Sequence, residues 1–471
     1  MTPSRPADQT PGDLDLPTRS APQRPDLRVG FLVIGRKRPG FDPEWGAEIE
    51  AMAWAAVTEL NLAPFRPPTR AVDDASLRQA LHEVRHAGCD ALVVLQPTMG
   101  DGRLAPVLAQ VWNDPLVFWA TPERRDSVKV SSCSLVGTHV FASTFRQLGH
   151  PFEIACGHPQ DAKTRQALVT AVRLAAAGAK LRRAKVGLVG SHAPGFVNMA
   201  VDPAALSRAL GVAVHHVSLL EFFDLVDGQD DQAVRQEVAR VEAMGLPMEE
   251  GLRRDDLAAD GRFYLAMRSL LDDESLDALA VRCWPELPNR FAAWPYLAMA
   301  RLAGERKVVA LEGDVDGAIS CLIGKLLGLG VGYVSDWLEH DEHSITLWHP
   351  GHAPLAMCMP GTARLGRHFN NNLPLVVNAT LAADRPITLF RLWRCDGAYH
   401  LTACNARTEP PRRELLGAHG LVAIDDRRVP DWFDHLCHEG MPHHVIVFAG
   451  HHADVLQRFA RQTRVRWIDG Q

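Results

Sequence analysis

Two carboxylates in the middle of the chain are candidates for chemistry. Glu312 comes directly after Val308–Leu311, a short apolar segment that predicts a buried strand. Asp336 follows a second such segment, Val331–Val334, and a helix is predicted between the two at Asp314–Leu327. Ligands of open α/β sheets bind beyond the carboxyl ends of the strands, so we expect both carboxylates at one crevice. Such a pair offers oxygen ligands for Mg²⁺ or Mn²⁺, or two acid/base groups.

Each carboxylate also has a purely structural interpretation. Acidic residues are favoured at the positive end of a helix, so Glu312 or Asp314 could simply cap the predicted helix. Asp336 could equally be a turn residue. Sequence position alone does not decide between capping, turn formation and chemistry.

Histidine could complete a site built on two carboxylates, and the chain has 21 histidines. The segment His340–His343 (HDEH) lacks the i, i+4 spacing of a zinc-protease helix and is predicted to be a solvated turn. His349 lies at the end of the predicted strand Ile345–Trp348. His444 immediately precedes the predicted strand Val445–Phe448, where an imidazole could join the two carboxylates.

Composition excludes several classes of protein. The 50 Lys and Arg against 56 Asp and Glu give a net charge of −6, without the basic surplus typical of nucleic-acid binding. No run approaches the ~18 apolar residues of a membrane-spanning helix. The nine cysteines are scattered and include no C-x-x-C pair, so reduced thiols in the cytoplasm are expected.

The surrounding pattern predicts three domains after a tail. Strands alternate with helices over residues 28–160 and again over 161–343, which predicts two doubly wound α/β domains with parallel sheets. Residues 344–471 form short alternating segments between Gly, Pro, Asn and Asp, which favours an antiparallel, barrel-like β domain. Residues 1–27 are rich in proline and lack the apolar core of a signal peptide, so a disordered tail is expected.

Several stretches resemble one enzyme family, from about Arg28 to the end of the chain. They are CWPELPNRFAAWPYLAMARL from Cys283, LEGDVDGAISCLIGKLLG from Leu311, VSDW around Asp336, ITLWHPGHAPLAMC from Ile345 and GMPHHVIVFAGHHADVLQRFA from Gly440. These stretches resemble the L-fucose isomerase/L-arabinose isomerase family of ketol isomerases, in its shorter fucose-isomerase-like branch. The resemblance implies two flavodoxin-like domains followed by a β-rich domain.

The resemblance also implies a reaction and a cofactor. It maps a divalent ion, usually Mn²⁺ with Mg²⁺ or Co²⁺ as alternatives, onto Glu312, Asp336 and His444. An aldose would become a ketose through a cis-enediol, with Glu312 and Asp336 as the acid/base groups as well as ligands. Which of the two removes the C2 proton stays open.

Substrate contacts follow from the same resemblance. Arg36, Trp284 and His349 are implied to contact the sugar, and His349 also matches an additional histidine ligand of the arabinose isomerases. Arg36 could reach the site of a neighbouring subunit, because the family forms hexamers and other assemblies. A homo-oligomer with a small sugar as its substrate is therefore expected.

Two other functions stay open at this point. The basic residues Arg36, Lys37 and Arg38 are compatible with the same reaction on an anionic sugar, either phosphorylated or sulfonated as in sulfoquinovose. Two α/β domains are also compatible with a non-catalytic sugar-binding protein. Such a binding protein would not need Glu312, Asp336 and His444 together.

Overall fold

The computed structural model describes residues 27–37, 40–60 and 62–469. The expected tail, apart from Leu27, and Arg38 of the basic loop lie outside these residues. The described part forms three sheets with different connectivity, two parallel and one largely antiparallel. This confirms the predicted class of two parallel α/β domains followed by a β-rich domain.

The first sheet has five parallel strands in the order β2-β1-β3-β4-β5. Every residue of β1, β3 and β4 is buried, because helices cover both faces of the sheet. This flavodoxin-type order places the topological switch point between β1 and β3. The elements are β1 (Val29–Val33), α1 (Pro43–Glu59), β2 (Pro64–Phe65), α2 (Asp74–His86), β3 (Ala91–Leu95), α3 (Leu104–Val111), β4 (Leu116–Ala120), α4 (Ser134–Leu148) and β5 (Phe152–Cys156).

The second sheet has four parallel strands in the order β7-β6-β8-β9. Polar caps begin several of its helices, since the side chains of Asp202, Ser218 and Asp230 accept hydrogen bonds from the first-turn N–H groups that follow them. The elements are α5 (Ala162–Leu181), β6 (Lys185–Val189), α6 (Pro203–Leu210), β7 (Ala213–Val217), α7 (Leu219–Asp227), α8 (Asp231–Ala243), α9 (Arg254–Asp273), β8 (Ala278–Val281), α10 (Glu286–Phe291), α11 (Tyr296–Gly304), β9 (Val308–Ala310) and α12 (Val315–Leu327).

The third sheet has nine strands in the order β12-β13-β16-β11-β10-β17-β14-β15-β18. An additional pairing of β15 with β16 closes the strands from β16 to β15 into a barrel. The elements are β10 (Tyr333–His340), β11 (Ser344–His349), β12 (Arg364–Arg367), β13 (Pro374–Thr380), β14 (Pro386–Cys395), β15 (Ala398–Glu409), β16 (Ala418–Ala423), α13 (Val429–His438), β17 (His444–Ala449), α14 (Ala453–Thr463) and β18 (Arg466–Trp467).

Helix α12 joins the second sheet to the barrel. It is apolar and buried along most of its length, and it packs on β9 on one side and on β14 and β17 on the other. Gly324 permits this packing, because a Cβ there would lie 2.1 Å from the ring of Phe448 on β17. The close approach brings the start of α12, just after Glu312, next to the start of β17 at His444.

The cysteines and the hydropathy of the helices can also be compared with the expectations from the sequence. All nine cysteines are free in the structure, so no disulfide framework is present. None of the described helices is both long and apolar enough to cross a membrane. The domain boundaries at residues 160 and 343 stay predictions, although β10, which begins at Tyr333, already belongs to the barrel sheet.

Candidate functional site

Asp336 and His444 are brought together by strand register. Strand β10 pairs antiparallel with β17, and Asp336 lies directly opposite His444 in this ladder. Directly opposed residues place their side chains on the same face of a sheet. The expectation that Asp336 follows a strand of the second parallel sheet is therefore wrong, because it lies within β10 of the third sheet. The strand begins at Tyr333 and continues through polar residues to His340, so the apolar segment marks only its first part.

Glu312 reaches the same place from the second domain. It lies in the turn between β9 and α12 with φ +59°, a left-handed conformation that a residue with a side chain adopts only where its surroundings hold it. Its N–H donates to Cys283 Sγ at 3.4 Å, and its carbonyl accepts a hydrogen bond of 2.8 Å from the N–H of Ala193. Gly313 follows with φ +67°, and a Cβ there would lie 2.1 Å from the Ser191 carbonyl oxygen. The sharp turn holds the Glu312 carboxylate against the barrel.

The three predicted ligands converge in the structure. His444 Nε2 lies 3.2 Å from Glu312 Oε2 and 3.7 Å from Asp336 Oδ1. His349, at the end of β11, joins Glu312 and His444 in a group whose ligand atoms all lie within 4.8 Å of one another. His443 forms a second such group with Asp336 and His444. His443 was not among the predicted ligands.

The polar atoms that face one another here are buried and lack hydrogen-bond partners within the described part of the chain. They are Glu312 Oε2, Asp336 Oδ1, His349 Nδ1, His443 Nε2 and His444 Nε2. Most buried polar groups in proteins are paired, so several unpaired acceptors at one point indicate a missing partner. Carboxylate oxygens and imidazole nitrogens are suitable ligands for Mn²⁺ and related divalent ions. These residues therefore fit the expected cation.

A buried network behind His444 orients its ring. Asp314 Oδ2 lies 2.8 Å from His444 Nδ1, and both Asp314 oxygens accept hydrogen bonds from Arg391, at 2.6 and 2.9 Å. Asp314 also caps α12, since its Oδ1 accepts from the N–H of Gly317 at 2.8 Å. A Nδ1–H donated to Asp314 leaves the Nε2 lone pair facing Glu312 and Asp336. This carboxylate–histidine arrangement is typical of imidazoles that bind metals.

Charge around the site favours a cation. Burial lowers the pKa of His444, but the carboxylates of Asp314 and Glu312 outweigh it and raise that pKa to about 10. Burial raises the pKa of Glu312, yet its proximity to His443 and His444 more than compensates and lowers that pKa below its ordinary value. Burial raises the pKa of Asp336. The negative charge that holds a proton on His444 would equally attract a divalent ion.

Trp284 contacts the site through Glu312. Its Nε1–H donates to Glu312 Oε1 at 2.7 Å, which leaves Oε2 to face His444. Its ring meets Phe196 edge-on at 5.7 Å, and Phe196 lies 4.5 Å from the ring of His443. Trp284 thus orients a carboxylate, and these aromatic rings border the site.

Arg36 does not belong to this cluster within one chain. It lies beyond β1 in a cavity of about 370 Å³ that Phe41, Glu50 and Arg70 also line. Its guanidinium is 5.1 Å from the ring of Phe41, and its Nε and Nη2 are buried with no hydrogen-bond partner in the residues that the structure describes. None of the described residues that line this cavity is one of the site carboxylates or histidines.

Three functional candidates were not predicted from the sequence. Asp314 was expected as a cap for α12, and capping alone does not reveal its second contact with His444. The sequence could have indicated a buried ion pair at Arg391, because an arginine within the apolar strand β14 (PITLFRLWRC) requires a buried counter-charge. His443 stands beside His444 in the sequence, but nothing there indicates that both rings approach the same carboxylates.

The contact between Asp314 and His444 predicts that Asp314 holds the His444 ring in its binding orientation. We expect Asp314→Asn to lower Mn²⁺ affinity and activity about 10–100-fold, because an amide no longer fixes the His444 tautomer, although Asn still caps a helix. Metal titration and circular dichroism would measure affinity and folding separately. Because the single change leaves Arg391 as an uncompensated buried charge, the double variant D314N/R391M serves as the control. A folded double variant that binds Mn²⁺ as the wild type does would contradict this role.

Comparison with known proteins gives relatives over most of the chain. No family model matches it. It is 27% identical over 431 residues to the sulfoquinovose isomerase of Priestia aryabhattai, covering 89% of this chain and 94% of that protein. The sulfoquinovose isomerase of Alkalicoccus urumqiensis is 27% identical over 373 residues (78% and 82%), and that of Clostridium sp. (strain MSTE9) is 26% identical over 346 residues (71% and 76%).

Comparison with solved structures gives no match that is close enough to interpret. A putative response regulator and a periplasmic sugar-binding protein from Legionella pneumophila align with TM-scores of 0.19 and 0.14, too low to support an argument about fold or function. The sequence relatives support a family of sugar isomerases. The narrower fucose/arabinose isomerase family stays a prediction.

Proposed function

We propose that this protein is an aldose–ketose isomerase that requires a divalent cation and acts on a sulfonated sugar, sulfoquinovose. Similarity over 89% of the chain to a curated sulfoquinovose isomerase supports the reaction and the substrate. The structural observation that supports the proposal is the convergence of three buried atoms that have no hydrogen-bond partner in the described chain, Glu312 Oε2, Asp336 Oδ1 and His444 Nε2. The expected cytoplasmic location and homo-oligomer belong to the same proposal.

Glu312, Asp336 and His444 would hold the cation, with Mn²⁺ as the first candidate and Mg²⁺ or Co²⁺ as alternatives. His349 lies close enough to Glu312 and His444 to add a further nitrogen ligand. When bound, the ion supplies Lewis acidity that stabilises negative charge on the carbonyl and neighbouring hydroxyl oxygens of the open-chain sugar. Asp314 and Arg391 keep His444 in the tautomer that this task requires.

The same carboxylates can move the protons. An aldose becomes a ketose when C2 loses a proton and C1 gains one, while a proton passes from the C2 oxygen to the C1 oxygen. One of Glu312 and Asp336 would take the C2 proton, giving a cis-enediol, and would return it to C1. The other carboxylate would assist the transfer between the oxygens. Trp284 supports this role by holding Glu312 Oε1, so that Oε2 faces the site.

Arg36 is our candidate for the sulfonate contact. Its Nε and Nη2 are buried without partners among the described residues, so both N–H groups can donate to an anion, and arginine suits planar or branched oxyanions. Because it lies outside the carboxylate–histidine cluster of its own chain, we propose that it contacts the substrate of a neighbouring subunit in a homo-oligomer.

A substrate panel tests the proposed function. Purified protein with Mn²⁺ would be given sulfoquinovose, glucose, L-fucose and L-arabinose, and ketose formation would be followed by NMR. We expect kcat/KM for sulfoquinovose to exceed that for glucose by at least about 100-fold, since a site built for a charged group discriminates strongly against an uncharged analogue. A higher kcat/KM for a neutral sugar would show that the proposed substrate is wrong. Saturable sulfoquinovose binding without turnover would favour the non-catalytic sugar-binding protein.

Loss of the Arg36 charge predicts a kinetic signature. We expect Arg36→Gln to raise KM for sulfoquinovose about tenfold or more with little change in kcat, because a contact remote from the reacting carbons binds ground state and transition state alike. Lys37→Gln is the matched control: Lys37 is exposed and paired with Asp73, so a small effect is expected. Steady-state kinetics on both variants measure this. Equal effects, or a fall in kcat alone, would contradict the assignment.

A further inference from the structure

A cleft lined by arginines lies between the first domain and the end of the chain. It consists of two neighbouring cavities of about 570 and 450 Å³, and Gln462 and Arg464 line both of them. None of the carboxylates or histidines of the proposed isomerase site lines either cavity. We call this region the arginine cleft; its other arginines are Arg146, Arg458 and Arg461 in the first cavity and Arg182, Arg208 and Arg466 in the second.

Most arginines of the arginine cleft form no direct ion pair with a carboxylate of the described residues. Arg458 forms an ion pair with Glu153 at 2.7 Å, and Arg466 forms one with Glu439 at 3.1 Å. Among the residues that the structure describes, no ion pair joins a carboxylate to the remaining five arginines, which are Arg146, Arg182, Arg208, Arg461 and Arg464. Like charges gathered in this way raise the affinity of a concave surface for an anion.

Backbone geometry holds the centre of the arginine cleft in place. Arg464 ends α14 with φ +60°, and its guanidinium donates a hydrogen bond to the carbonyl of Gly149, which ends α4. Both helix ends carry a partial negative charge, which helps arginines to gather here without carboxylates. The positive charge of the arginines also acts on His150. Burial lowers the pKa of His150, and the charges of Arg464 and Arg182 lower it further.

A buried amide supplies an independent indication of a ligand. Gln462 is only 5% exposed, and neither its Oε1 nor its Nε2 has a hydrogen-bond partner among the described residues. Buried amides are rarely left without partners. Gln462 lines both cavities, so this unpaired amide lies where the two cavities meet.

We propose that the arginine cleft is a second binding site, for a phosphate group that is either free or carried by a small organic molecule. Guanidinium forks match the geometry of phosphate oxygens, and each pair of parallel N–H groups can bind them bidentately. The cavities are larger than an inorganic ion requires, which leaves room for an organic portion. This inference is independent of the proposed isomerase reaction.

Calorimetric titration of the full chain tests the binding. The probes are inorganic phosphate and glycerol 3-phosphate, titrated at constant ionic strength with chloride as the balancing ion, and glycerol is the uncharged control. We expect saturable binding of at least one phosphate probe, none of glycerol, and a rise in Tm that grows with ligand concentration. Tighter binding of glycerol 3-phosphate would identify an organic phosphate as the ligand, and equal binding would identify the free ion. Absence of saturable binding by both would overturn the proposal.

Matched variants locate the binding. Arg146→Gln combined with Arg461→Gln removes two exposed charges that form no ion pair with any described carboxylate, and we expect phosphate affinity to fall about tenfold or more. Arg125→Gln combined with Arg235→Gln removes the same charge from exposed positions outside the cleft and should leave affinity unchanged. Glu312→Gln should also leave it unchanged, which separates this site from the isomerase site. Unaltered binding by R146Q/R461Q, or equal weakening by the control pair, would overturn the proposal.

The main competing occupant is a second copy of the chain. Sedimentation velocity of R146Q/R461Q distinguishes the two possibilities. We expect the oligomeric state of the wild type to persist in this variant. If the assembly instead dissociates and the wild type binds no phosphate probe, the arginine cleft is a subunit contact and the proposal is wrong.

Discussion

Replacing Glu312 by glutamine is expected to lower kcat for sulfoquinovose by at least about 1000-fold. A positioned acid/base group typically contributes ~10²–10⁴-fold, and the same change would also remove a charged ligand of the proposed cation. Glutamine has nearly the same shape and still accepts the hydrogen bond from Trp284, so the turn with φ +59° should persist. Steady-state kinetics and metal analysis on the same preparation measure both effects.

The control for this variant is Glu339→Gln. Glu339 lies on β10 three positions after Asp336, but it is exposed and pairs with Arg413 at 3.0 Å at the surface. The chemical change is identical, and we expect kcat to stay within about twofold, since exposed ion pairs contribute little. If Glu312→Gln kept more than a tenth of the wild-type rate, the proposed role of Glu312 would be wrong.

Removing the metal is the second change with a large expected effect. After treatment with a chelator and dialysis, we expect less than about 1% of the original activity, and added Mn²⁺ should restore it, because the proposed ion would stabilise the charge that develops on the sugar oxygens. The fold should survive, since the buried Asp314–Arg391 pair and α12 do not depend on the ion. Activity and circular dichroism before and after Mn²⁺ addition measure this.

Two results would contradict a metal-dependent reaction. One is full activity in protein whose metal content, measured by mass spectrometry, is well below one ion per chain. The other is loss of activity on chelation that Mn²⁺, Mg²⁺ and Co²⁺ all fail to restore although the protein remains folded.

The fold class follows from local patterns in the sequence. The apolar, β-branched segments that became β1 and β3 predict buried parallel strands, and both are fully buried in the structure. The short alternating segments after residue 344 predict the barrel, because alternation marks strands with one covered face. Helix α12 was expected to begin at Asp314, which caps it in the structure.

The site was less predictable because its contacts join distant parts of the chain. The proximity of Asp336 and His444 depends on which residues of β10 and β17 are paired, and local patterns do not determine register across 108 residues. The approach of Glu312 depends on a left-handed turn and on Gly324 admitting Phe448, both of which are tertiary features. The family resemblance proposed these three ligands, whereas the residue pattern alone left capping and turn formation open.

We propose that Glu312, Asp336 and His444 bind one divalent cation together. A Mn²⁺ titration followed by electron paramagnetic resonance, on the wild type and on E312Q, D336N and H444A, tests it most directly. We predict one tightly bound Mn²⁺ per chain in the wild type and affinity at least about tenfold weaker in each variant. Wild-type protein that binds no Mn²⁺, or three folded variants that bind it as tightly as the wild type, would contradict the claim.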